Sequence, residues 1–490
     1  MQNPFKRFAQ FYREGNRENV FRLDGAVPLR VGIPFGLQHV LSMFVANIAP
    51  ILICFMIIAG AGDISPAVKA NAIRSAIFLA AVGTTIQLFP IGRIGAKLPI
   101  VVGVSFTFLG VLGLVGATYG LGTMFVSIII GGLVIGVLGL FANKWRRFIK
   151  PIVSAVVVLG IGLSLISVGI KDFIGYNVAG NVVDGVYRFD VAWPYLLVAS
   201  VTLLSSILWQ IFVKGVWKNI SVLFGLVVGY LLSLCFIPYN HMVDFSAFQF
   251  TSFTDFIDVP RPFFTLVPIG WESFRFGAIL TVLLIYVVAT TEGIGDISSL
   301  TSSGLGRDPT DREISGGIAA DGFISALAGF FGTMPLTTFS QNVGIVGQTK
   351  IVNRFTIFQG ALLLFLAAFI TPITTFLQTI PSAVLGGTML MLFSSIVVIG
   401  MQMISKVGFT KKNIMIVSLS VGLGYGITLI SEFVDATPWE NDFLKSIFLI
   451  LQNPVANMFL LSFLFSYIIP DSINTDKPKE KKEEEIPKQG

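Results

Sequence analysis

Three acidic residues, Glu292, Asp296 and Asp321, lie in long apolar stretches of the sequence. A carboxylate at the centre of a bilayer costs about 2.5–3.5 kcal/mol on insertion scales, so buried acids of this kind are retained for a function. Glu292 and Asp296 share one face of a helix, because they are one helical turn apart. Like charges repel in a low dielectric, so one of the pair is expected to hold a proton, as proton-coupled transport requires. For Asp296, a position near the membrane interface is the alternative.

The composition requires lipid as the solvent of this chain. Of its 490 residues, 54% are hydrophobic and 12% are charged, and the mean hydropathy is +0.82. An ordinary soluble domain carries about 25% charged residues. Cys54 and Cys235 both lie in apolar runs and the chain has 2 histidines, which argues against a disulfide framework or a zinc or copper site. We expect an integral membrane protein that is not an enzyme and has neither a metal nor a cofactor.

Apolar runs bounded by charged, proline or glycine residues predict fourteen membrane segments. The predicted segments are about 33–59, 72–90, 99–117, 123–141, 151–170, 192–213, 218–237, 274–297, 314–331, 338–349, 355–377, 382–403, 413–431 and 447–469. The run at 338–349 is too short to cross about 30 Å as a helix. The first run is long and follows a charged tail, so it is a span and not a signal peptide.

The distribution of charge gives the topology. With both termini in the cytoplasm, most of the 33 Lys and Arg residues fall in cytoplasmic segments, as expected for a protein of the cell membrane. The remaining basic residues, Arg74 among them, are assigned to outside loops. The Lys- and Glu-rich tail from about Lys477 is a solvated, disordered end that predicts no nucleic-acid partner. Gly131-Gly132 and Gly386-Gly387 predict close helix packing.

Two of the predicted segments are interrupted. Pro, Gly and Thr residues break the stretch 330–344, and a similar break lies at 99–108, in the third segment of the other half. Non-helical backbone inside a membrane is tolerated only where it lines a cavity or is buried in protein. Interrupted segments at matching positions of two halves indicate a transporter binding site. A repeat of seven segments also forces the two halves to be inverted.

The side chains near these breaks indicate the chemistry of a ligand. The Glu292 carboxylate only accepts hydrogen bonds, whereas the Gln341 amide both donates and accepts. With backbone N–H groups, they suit a flat ligand of alternating N–H and C=O groups, such as a purinedione or pyrimidinedione. Phe106, Phe108 or Phe339 would stack on its faces. Other polar solutes fit the same groups.

At these residues the chain resembles the nucleobase–ascorbate transporter family, also called the nucleobase:cation symporter-2 family. The family signature is Gln, Glu or Pro, then Asn, one residue, Gly, four residues, Thr, and Arg, Lys or Gly. Residues 341–350 read QNVGIVGQTK and match it completely. Further matches are Gln38-His39, Gly103-Val104-Ser105-Phe106, residues 289–296 (ATTEGIGD) and Asp321-Gly322.

The resemblance implies an all-α polytopic fold of fourteen transmembrane segments in two inverted seven-segment repeats. Short strands in segments 3 and 10 would cross beside the substrate, and the gate domains would join two copies into a homodimer. The implied divisions are a cytoplasmic N-tail (1–30), core domain (31–145 with segments 1–4, and 273–378 with segments 8–11), gate domain (146–240 with segments 5–7, and 379–470 with segments 12–14), external loop (241–272) and disordered C-tail (471–490).

The resemblance also implies a role for each site residue. Glu292 would bind the N–H groups of a nucleobase, and Gln341 would contact the opposite part of the ring. The substrate-binding set is Glu292, Gln341, Phe106, Ser340, Phe339, Asn342 and His39, of which His39 and Asn342 tune affinity. The proton-coupling set is Asp321, Asp296 and Glu292, with core integrity the alternative role of Asp321.

The function that this resemblance implies is import of a purine, xanthine and/or urate, by symport with a proton rather than sodium and by an elevator-like movement. Gln341 and Asp296 favour an oxidised purine over uracil. Leu336 and Val343 depart from the family pattern and leave xanthine, urate and other purines open. An alternative is a permease for uracil or another nucleobase.

Two other classes of function make different demands on the sequence. An anion channel or exchanger of related inverted-repeat fold would have few buried acids and a positive site. A membrane enzyme would need paired acids that hold Mg²⁺. The loops offer only Asp308 and Asp311 for that purpose, and Arg307 and Arg312 flank them.

Overall fold

Helices form most of the chain in this computed structural model. The structure describes residues 15–59, 64–176, 178, 180–183, 186–236, 242–243, 245, 256–430, 433–434 and 442–474. Part of the predicted external loop (241, 244 and 246–255) and most of the predicted C-tail (475–490) lie outside these residues. Apart from the short helix Ala142–Trp145, the α-helices are α1 Leu29–Ala59, α2 Pro66–Leu88, α3 Leu109–Gly139, α4 Pro151–Phe173, α5 Phe189–Phe212, α6 Ser221–Leu234, α7 Phe276–Leu300, α8 Asp311–Phe330, α9 Ser340–Thr349, α10 Arg354–Ala368, α11 Thr371–Gln378, α12 Ser382–Val407, α13 Lys411–Ile430, α14 Asp442–Leu451 and α15 Pro454–Ile468. The strands are β1 Val102–Val104, β2 Val182–Val183, β3 Val186–Tyr187 and β4 Leu336–Thr338.

The lengths of these helices confirm a polytopic membrane protein. Among the described residues, 7 helical stretches are long and apolar enough to cross a membrane, and they contain α1, α3, α4, α5, α7, α12 and α13. Shorter apolar helices are α6, α10 and α15. The count of fourteen segments remains a prediction.

Proline and glycine explain where the helices depart from the predicted segments. The predicted run 355–377 divides into α10 and α11, and 447–469 divides into α14 and α15. Pro372 and Pro454 stand in the first turns of α11 and α15, where the missing N–H and fixed φ of proline favour a new helix. Gly120, with φ of 84°, divides α3 near the boundary predicted between the third and fourth segments.

Strands β1 and β4 pair antiparallel, although they come from distant parts of the chain. Val102 lies opposite Thr338, and Val104 lies opposite Leu336. All residues of both strands are buried. The short strands predicted for the two interrupted segments are therefore present, and they pair with each other. Strands β2 and β3 form a separate antiparallel pair after α4.

Side chains of α1 and α2 cap the outer edge of β1. The N–H of Val102 donates to Thr84 Oγ1 of α2 (3.0 Å), and the N–H of Val104 donates to Asn47 Oδ1 of α1 (2.8 Å). A strand edge inside a membrane has no water to satisfy these groups. The two polar side chains therefore replace the neighbouring strand that β1 lacks.

Side chains of helix α8 cap the outer edge of β4 in the same way. The N–H of Leu336 donates to Ser325 Oγ (3.1 Å), and the N–H of Thr338 donates to Asp321 Oδ2 (3.0 Å). Ser325 Oγ also donates to the Leu336 carbonyl (2.7 Å). Because Asp321 and Ser325 are one turn apart on α8, one helix face holds the whole edge of β4.

Glycines let the helices around the strand pair approach closely, as the sequence predicts for small-residue stretches. A Cβ on Gly132 of α3 would lie 2.5 Å from the backbone nitrogen of Ala326 of α8, and a Cβ on Gly139 would lie 2.6 Å from the backbone nitrogen of Ala319. Gly386 of α12 packs in the same way against the backbone of Phe173 of α4. Small residues at such contacts bring backbones together in membranes.

The packing partners of each helix position the strand pair. Helix α3 packs along α8 and α7, and α10 packs against α1 and α2. In the rest of the chain, α4 packs along α12 and α15, α5 packs on α6 and α12, and α13 packs on α15. The strand pair contacts α1, α2, α7 and α8. The strands are thus enclosed by four helices from both halves of the sequence.

One basic residue is not where the sequence places it. Arg74, predicted in an outside loop, lies within α2, and its side chain is 3% exposed. Its Nη1 is 2.6 Å from Asp258 Oδ2. Helix α2 begins at Pro66, before the predicted segment 72–90, so Arg74 lies on a helix instead of in a loop. The ion pair with Asp258 compensates its buried charge.

The packing of α3 on α8 predicts that Gly132→Ala lowers thermal stability. The new Cβ would meet backbone atoms, which cannot rotate away, and overpacking of this kind costs about 1–3 kcal/mol. Gly422→Ala in α13 is the matched control, because nothing lies within 4 Å of its added Cβ. Thermal melting of both purified variants measures the difference. Equal melting temperatures would contradict the close approach of α3 and α8.

Candidate functional site

One hydroxyl group joins two of the three acids, the partly buried Glu292 and the buried Asp296. Ser340, the first residue of α9, has its Oγ 2.7 Å from Asp296 Oδ2 and 3.3 Å from Glu292 Oε1. A serine hydroxyl carries one hydrogen, so it can donate to only one of these carboxyls at a time. If one of the two carboxyls carries a proton, it can donate to Ser340 Oγ while the Ser340 hydroxyl donates to the other carboxyl. The group of Glu292, Ser340 and Asp296 can therefore hold one additional proton with every contact satisfied.

Glu292 also accepts a hydrogen bond from the other interrupted segment. Thr107 Oγ1 donates to Glu292 Oε2 (2.7 Å). Thr107 belongs to the 3₁₀ turn Phe106–Phe108 that follows β1, just as Ser340 follows β4. The carboxyl of Glu292 on α7 therefore lies where the two breaks in the helices meet. The sequence reasoning did not find Thr107, although it is the first hydroxyl-bearing residue after Ser105 at this break.

The carboxylate of Asp321 accepts hydrogen bonds from residues on and next to β4. Its Oδ2 accepts from the backbone N–H and the Oγ1 of Thr338 (both 3.0 Å), and its Oδ1 accepts from Gln87 Nε2 (2.8 Å). Gln87 in turn donates to the Gly317 carbonyl (3.0 Å) and accepts from the N–H of Ala96 (3.0 Å). The carboxylate of Asp321 thus links α2, α8 and β4. Sequence reasoning found Asp321 but missed Gln87.

The three acids are close enough to interact electrostatically. Asp296 is 2% exposed, so it belongs to the buried group. In the described part of the chain, the ion pairs involve other acids and leave all three without a Lys or Arg partner. No group of three or more His, Cys, Asp or Glu side chains among those residues is arranged to hold a metal ion.

Gln341 faces a large cavity next to this group. The cavity has a volume of about 750 Å³ and lies between α1, α5, α6, α9 and α12, within the range of about 300–1,000 Å³ common for ligand sites. Its polar lining is Ser42, Gln210, Lys218, Ser221, Gln341, Gln348, Ser394, Ser395 and Gln402. Glu292 is not part of this lining. Glu292 contacts Ser340, which precedes Gln341 in the sequence. That Glu292 and Gln341 bind the same ligand remains a prediction.

His39 and Asn342 form a buried polar contact between α1 and α9. Asn342 Nδ2 lies 3.3 Å from His39 Nδ1 and donates to the His39 carbonyl (3.1 Å). His39 Nε2 and Asn342 Oδ1 have no hydrogen-bond partner among the described residues. Buried polar atoms normally have a partner, so these two buried atoms have unused hydrogen-bonding capacity between α1 and α9.

The aromatic residues named from the sequence already have protein neighbours. The Phe106 ring meets Phe393 of α12 edge to face, with centroids 5.2 Å apart. The Phe339 ring covers Gly103, where a Cβ would lie 2.8 Å from Phe339 Cδ2. Phe108 is fully buried and packs on Tyr286, with centroids 4.6 Å apart. All three rings are buried, with Phe106 6% and Phe339 4% exposed and Phe108 fully enclosed. The stacking of Phe106 or Phe339 on a ligand remains a prediction.

Known proteins that resemble this chain are permeases. A family model with the description "Permease family" matches residues 31–433. Xanthine permease XanQ of Escherichia coli (strain K12) is 30% identical over 465 residues, which cover 92% of this chain and 94% of that protein. The uric acid permease PucK of Bacillus subtilis (strain 168) is 30% identical over 397 residues, which cover 81% and 86%. None of these is an enzyme, in agreement with the sequence.

Solved structures share the fold at lower identity. The transmembrane domain of the cyanobacterium bicarbonate transporter BicA superposes with a TM-score of 0.53 and 17% identity, over 89% of this chain and 96% of that one. The murine anion transporter Slc26a9, in its inward-facing state, superposes with a TM-score of 0.57 and 14% identity, over 89% and 68%. They establish a mostly helical membrane-transporter fold. With the family model and the permease relatives, this shows that the chain belongs to the nucleobase–ascorbate transporter family.

Proposed function

We propose that this protein is a secondary active transporter that imports an oxidised purine, xanthine and/or urate, together with a proton. The observation that carries the proposal is the position of Glu292. Its carboxyl accepts a hydrogen bond from Thr107 of one interrupted segment and contacts the hydroxyl of Ser340 from the other. The Ser340 hydroxyl also contacts Asp296. The permease relatives named for xanthine and uric acid support the choice of substrate.

Substrate binding uses the acceptor capacity of Glu292. The 3.3 Å contact from Ser340 to Glu292 is long for an O–H···O hydrogen bond, for which about 2.7–2.8 Å is typical. An N–H of the purine would replace it. Gln341 offers an amide from the cavity side to the opposite edge of the ring, and the free atoms of His39 and Asn342 adjust the affinity. Phe106 and Phe339 lie beside the ring.

Proton coupling uses the pair of Glu292 and Asp296. A proton on this pair lets Glu292 accept the substrate N–H without two adjacent negative charges. Proton and substrate then favour each other's binding, and such reciprocal coupling is the basis of symport. A proton suits two carboxyls that share a hydroxyl better than sodium does, because sodium requires several oxygen ligands.

We infer the movement that exposes the site to each side from the way the helices pack in two groups. We assign 31–145 and 273–378 to a core domain, and 146–240 and 379–470 to a gate domain. The helices that enclose the strand pair pack mainly on one another, and so do α4, α5, α6, α12, α13 and α15. Val102 and Thr338 lie opposite each other, and each receives its cap from the helix that precedes its own strand. This correspondence supports inverted repeats, and thus fourteen segments.

In this proposal the core slides past the gate and carries the substrate across the membrane. The protein lies in the plasma membrane with both termini in the cytoplasm, and two copies associate through their gate domains. The fold likeness to bicarbonate and anion transporters favours anion exchange as the second candidate. A site for a small inorganic anion such as bicarbonate would need positive charge, whereas Glu292, Asp296 and Asp321 have no Lys or Arg ion-pair partner among the described residues.

Replacing Glu292 by Gln is expected to abolish uptake. The amide would replace one of the two acceptor oxygens by an NH₂ group, which would face either the Thr107 hydroxyl or the purine N–H. The loss should exceed about 100-fold, as when a site hydrogen-bond partner is left unpaired. Gln341→Ala should reduce uptake strongly as well. Labelled xanthine and urate uptake, in cells without their own purine permeases, measures both. Glu18→Gln and Gln378→Ala are controls outside the site. Full uptake by Glu292→Gln, at normal membrane abundance, would refute the site.

Asp296→Asn is expected to separate substrate exchange from accumulation. The amide resembles a carboxyl that always carries its proton, so purine can still bind and exchange but no longer moves with a released proton. Counterflow and pH-gradient-driven uptake in vesicles measure the two activities. Asp308→Asn in the exposed loop serves as the control. If Asp296→Asn still concentrates purine to the level of the unmodified protein, Asp296 has no part in coupling.

Asp321→Asn is expected to destabilise the protein as well as to stop uptake. Its NH₂ group would face either the donors of Thr338 or the amide of Gln87, and an unsatisfied buried group costs about 1–3 kcal/mol. Thr338→Val is the matched variant, because it removes one hydroxyl and keeps the backbone N–H, at a cost of about 1 kcal/mol. Thermal melting ranks the two. An unchanged melting temperature with loss of accumulation alone would assign Asp321 to coupling instead.

A further inference from the structure

A second cavity lies away from the acids, where α3 ends and α8 begins. It has a volume of about 420 Å³. Its charged and polar lining includes Arg93, Asn143, Lys144, Asp311 and Arg312. The walls are fixed to each other, because the backbone N–H of Asn143 donates to Ser315 Oγ (3.2 Å). We call this cavity, lined by Arg93, Lys144 and Arg312, the basic pocket.

The basic pocket carries uncompensated positive charge. Its one lining acid, Asp311, is already paired with Arg146 (2.5 Å). The Arg312 guanidinium donates to the carbonyls of Gly92 (2.7 Å) and Arg93 (2.8 Å) and reaches no carboxylate. In the described part of the chain, Arg93 and Lys144 also have no carboxylate within ion-pair distance. Three cationic side chains therefore face one cavity, and an anion of matching size would relieve their repulsion.

The surroundings of the basic pocket are apolar. Phe141, which lines it, is 47% exposed. Leu138, Phe148 and Ile91, which lie within a few residues of lining residues in the sequence, are exposed as well. Lys144 Nζ lies 5.6 Å from the centroid of the Phe141 ring. Exposed apolar and aromatic side chains beside basic ones, at the ends of membrane helices, are typical of the bilayer interface. An anion that carries an apolar chain would bind this pocket more favourably than a free ion, because its chain would contact these apolar side chains.

We propose that the basic pocket binds the phosphate of an anionic phospholipid. Arg93 and Lys144 would contact the headgroup, Arg312 would supply charge from the floor of the pocket, and the acyl chains would lie along Phe141 and Leu138. Basic pockets between membrane helices are known to suit such headgroups. This site is separate from the transport site and its assignment does not depend on the substrate proposed above.

The position of the basic pocket gives the lipid a structural effect. The pocket joins the loop after α2, the end of α3 and the start of α8. Helices α2 and α8 hold the strand pair through Thr84 and Asp321. A bound headgroup would fasten these elements together and stabilise the body that carries the strands, and so raise the melting temperature of the whole protein.

The test is a titration of the full-length purified protein in detergent with phosphatidylglycerol. Bound lipid is measured by native mass spectrometry and the melting temperature in parallel. The pocket variant is Arg93→Gln with Lys144→Gln, which leaves Arg312 and its carbonyl contacts intact. The matched control is Arg30→Gln with Lys214→Gln, which removes the same charge from exposed residues. Phosphatidylcholine and inorganic phosphate serve as separate probes.

The unmodified protein and the control should retain phosphatidylglycerol over phosphatidylcholine and gain stability from it. The pocket variant should bind phosphatidylglycerol about 30-fold more weakly, which is about 2 kcal/mol for two basic residues. Equal retention of the two lipids by the unmodified protein would overturn the proposal, as would an equal loss in the control. Displacement of the lipid by millimolar inorganic phosphate, or stabilisation by phosphate alone, would assign the pocket to a soluble anion and overturn it too.

Discussion

The hydrogen-bonding need of two buried strand edges controls much of this fold. Strands β1 and β4 have only each other as neighbours, and lipid offers no partner for their outer N–H groups. Asn47, Thr84, Asp321 and Ser325 accept these four N–H groups. Leaving one such group unsatisfied costs about 1–3 kcal/mol. The four caps therefore fix α1, α2 and α8 around the strands.

The same arrangement places the candidate site. Each strand ends at a helical turn, and the first hydroxyls of these turns, on Thr107 and Ser340, both reach Glu292. Helix α7 supplies Glu292 and Asp296 but no strand, so it joins the two interrupted segments from the side. A ligand at Glu292 would contact both breaks at once, and any displacement of one strand end against the other would change its binding.

The sequence allowed the acids to be predicted but not most of their partners. An acidic residue within an apolar run can be recognised from the local sequence alone, so Glu292, Asp296 and Asp321 could be predicted. Thr107 and Gln87 do not, because Thr and Gln are common, and their acids lie 185 and 234 residues away. The pairing of the two predicted strands is likewise a long-range contact. Helix ends were missed where Pro372 and Pro454 begin new helices inside apolar runs.

Hydrogen-bond capacity separates the roles of the three acids. An ionised carboxylate has about four acceptor positions. Asp321 uses 3 of its positions on Gln87 and Thr338, all within the scaffold. Thr107 donates to Glu292, and Ser340 donates to either Glu292 or Asp296, so these two acids together receive 2 hydrogen bonds. The open capacity thus lies on Glu292 and Asp296. A substrate N–H or a transported proton can be accepted there without breaking the strand caps, whereas the same event at Asp321 would release β4.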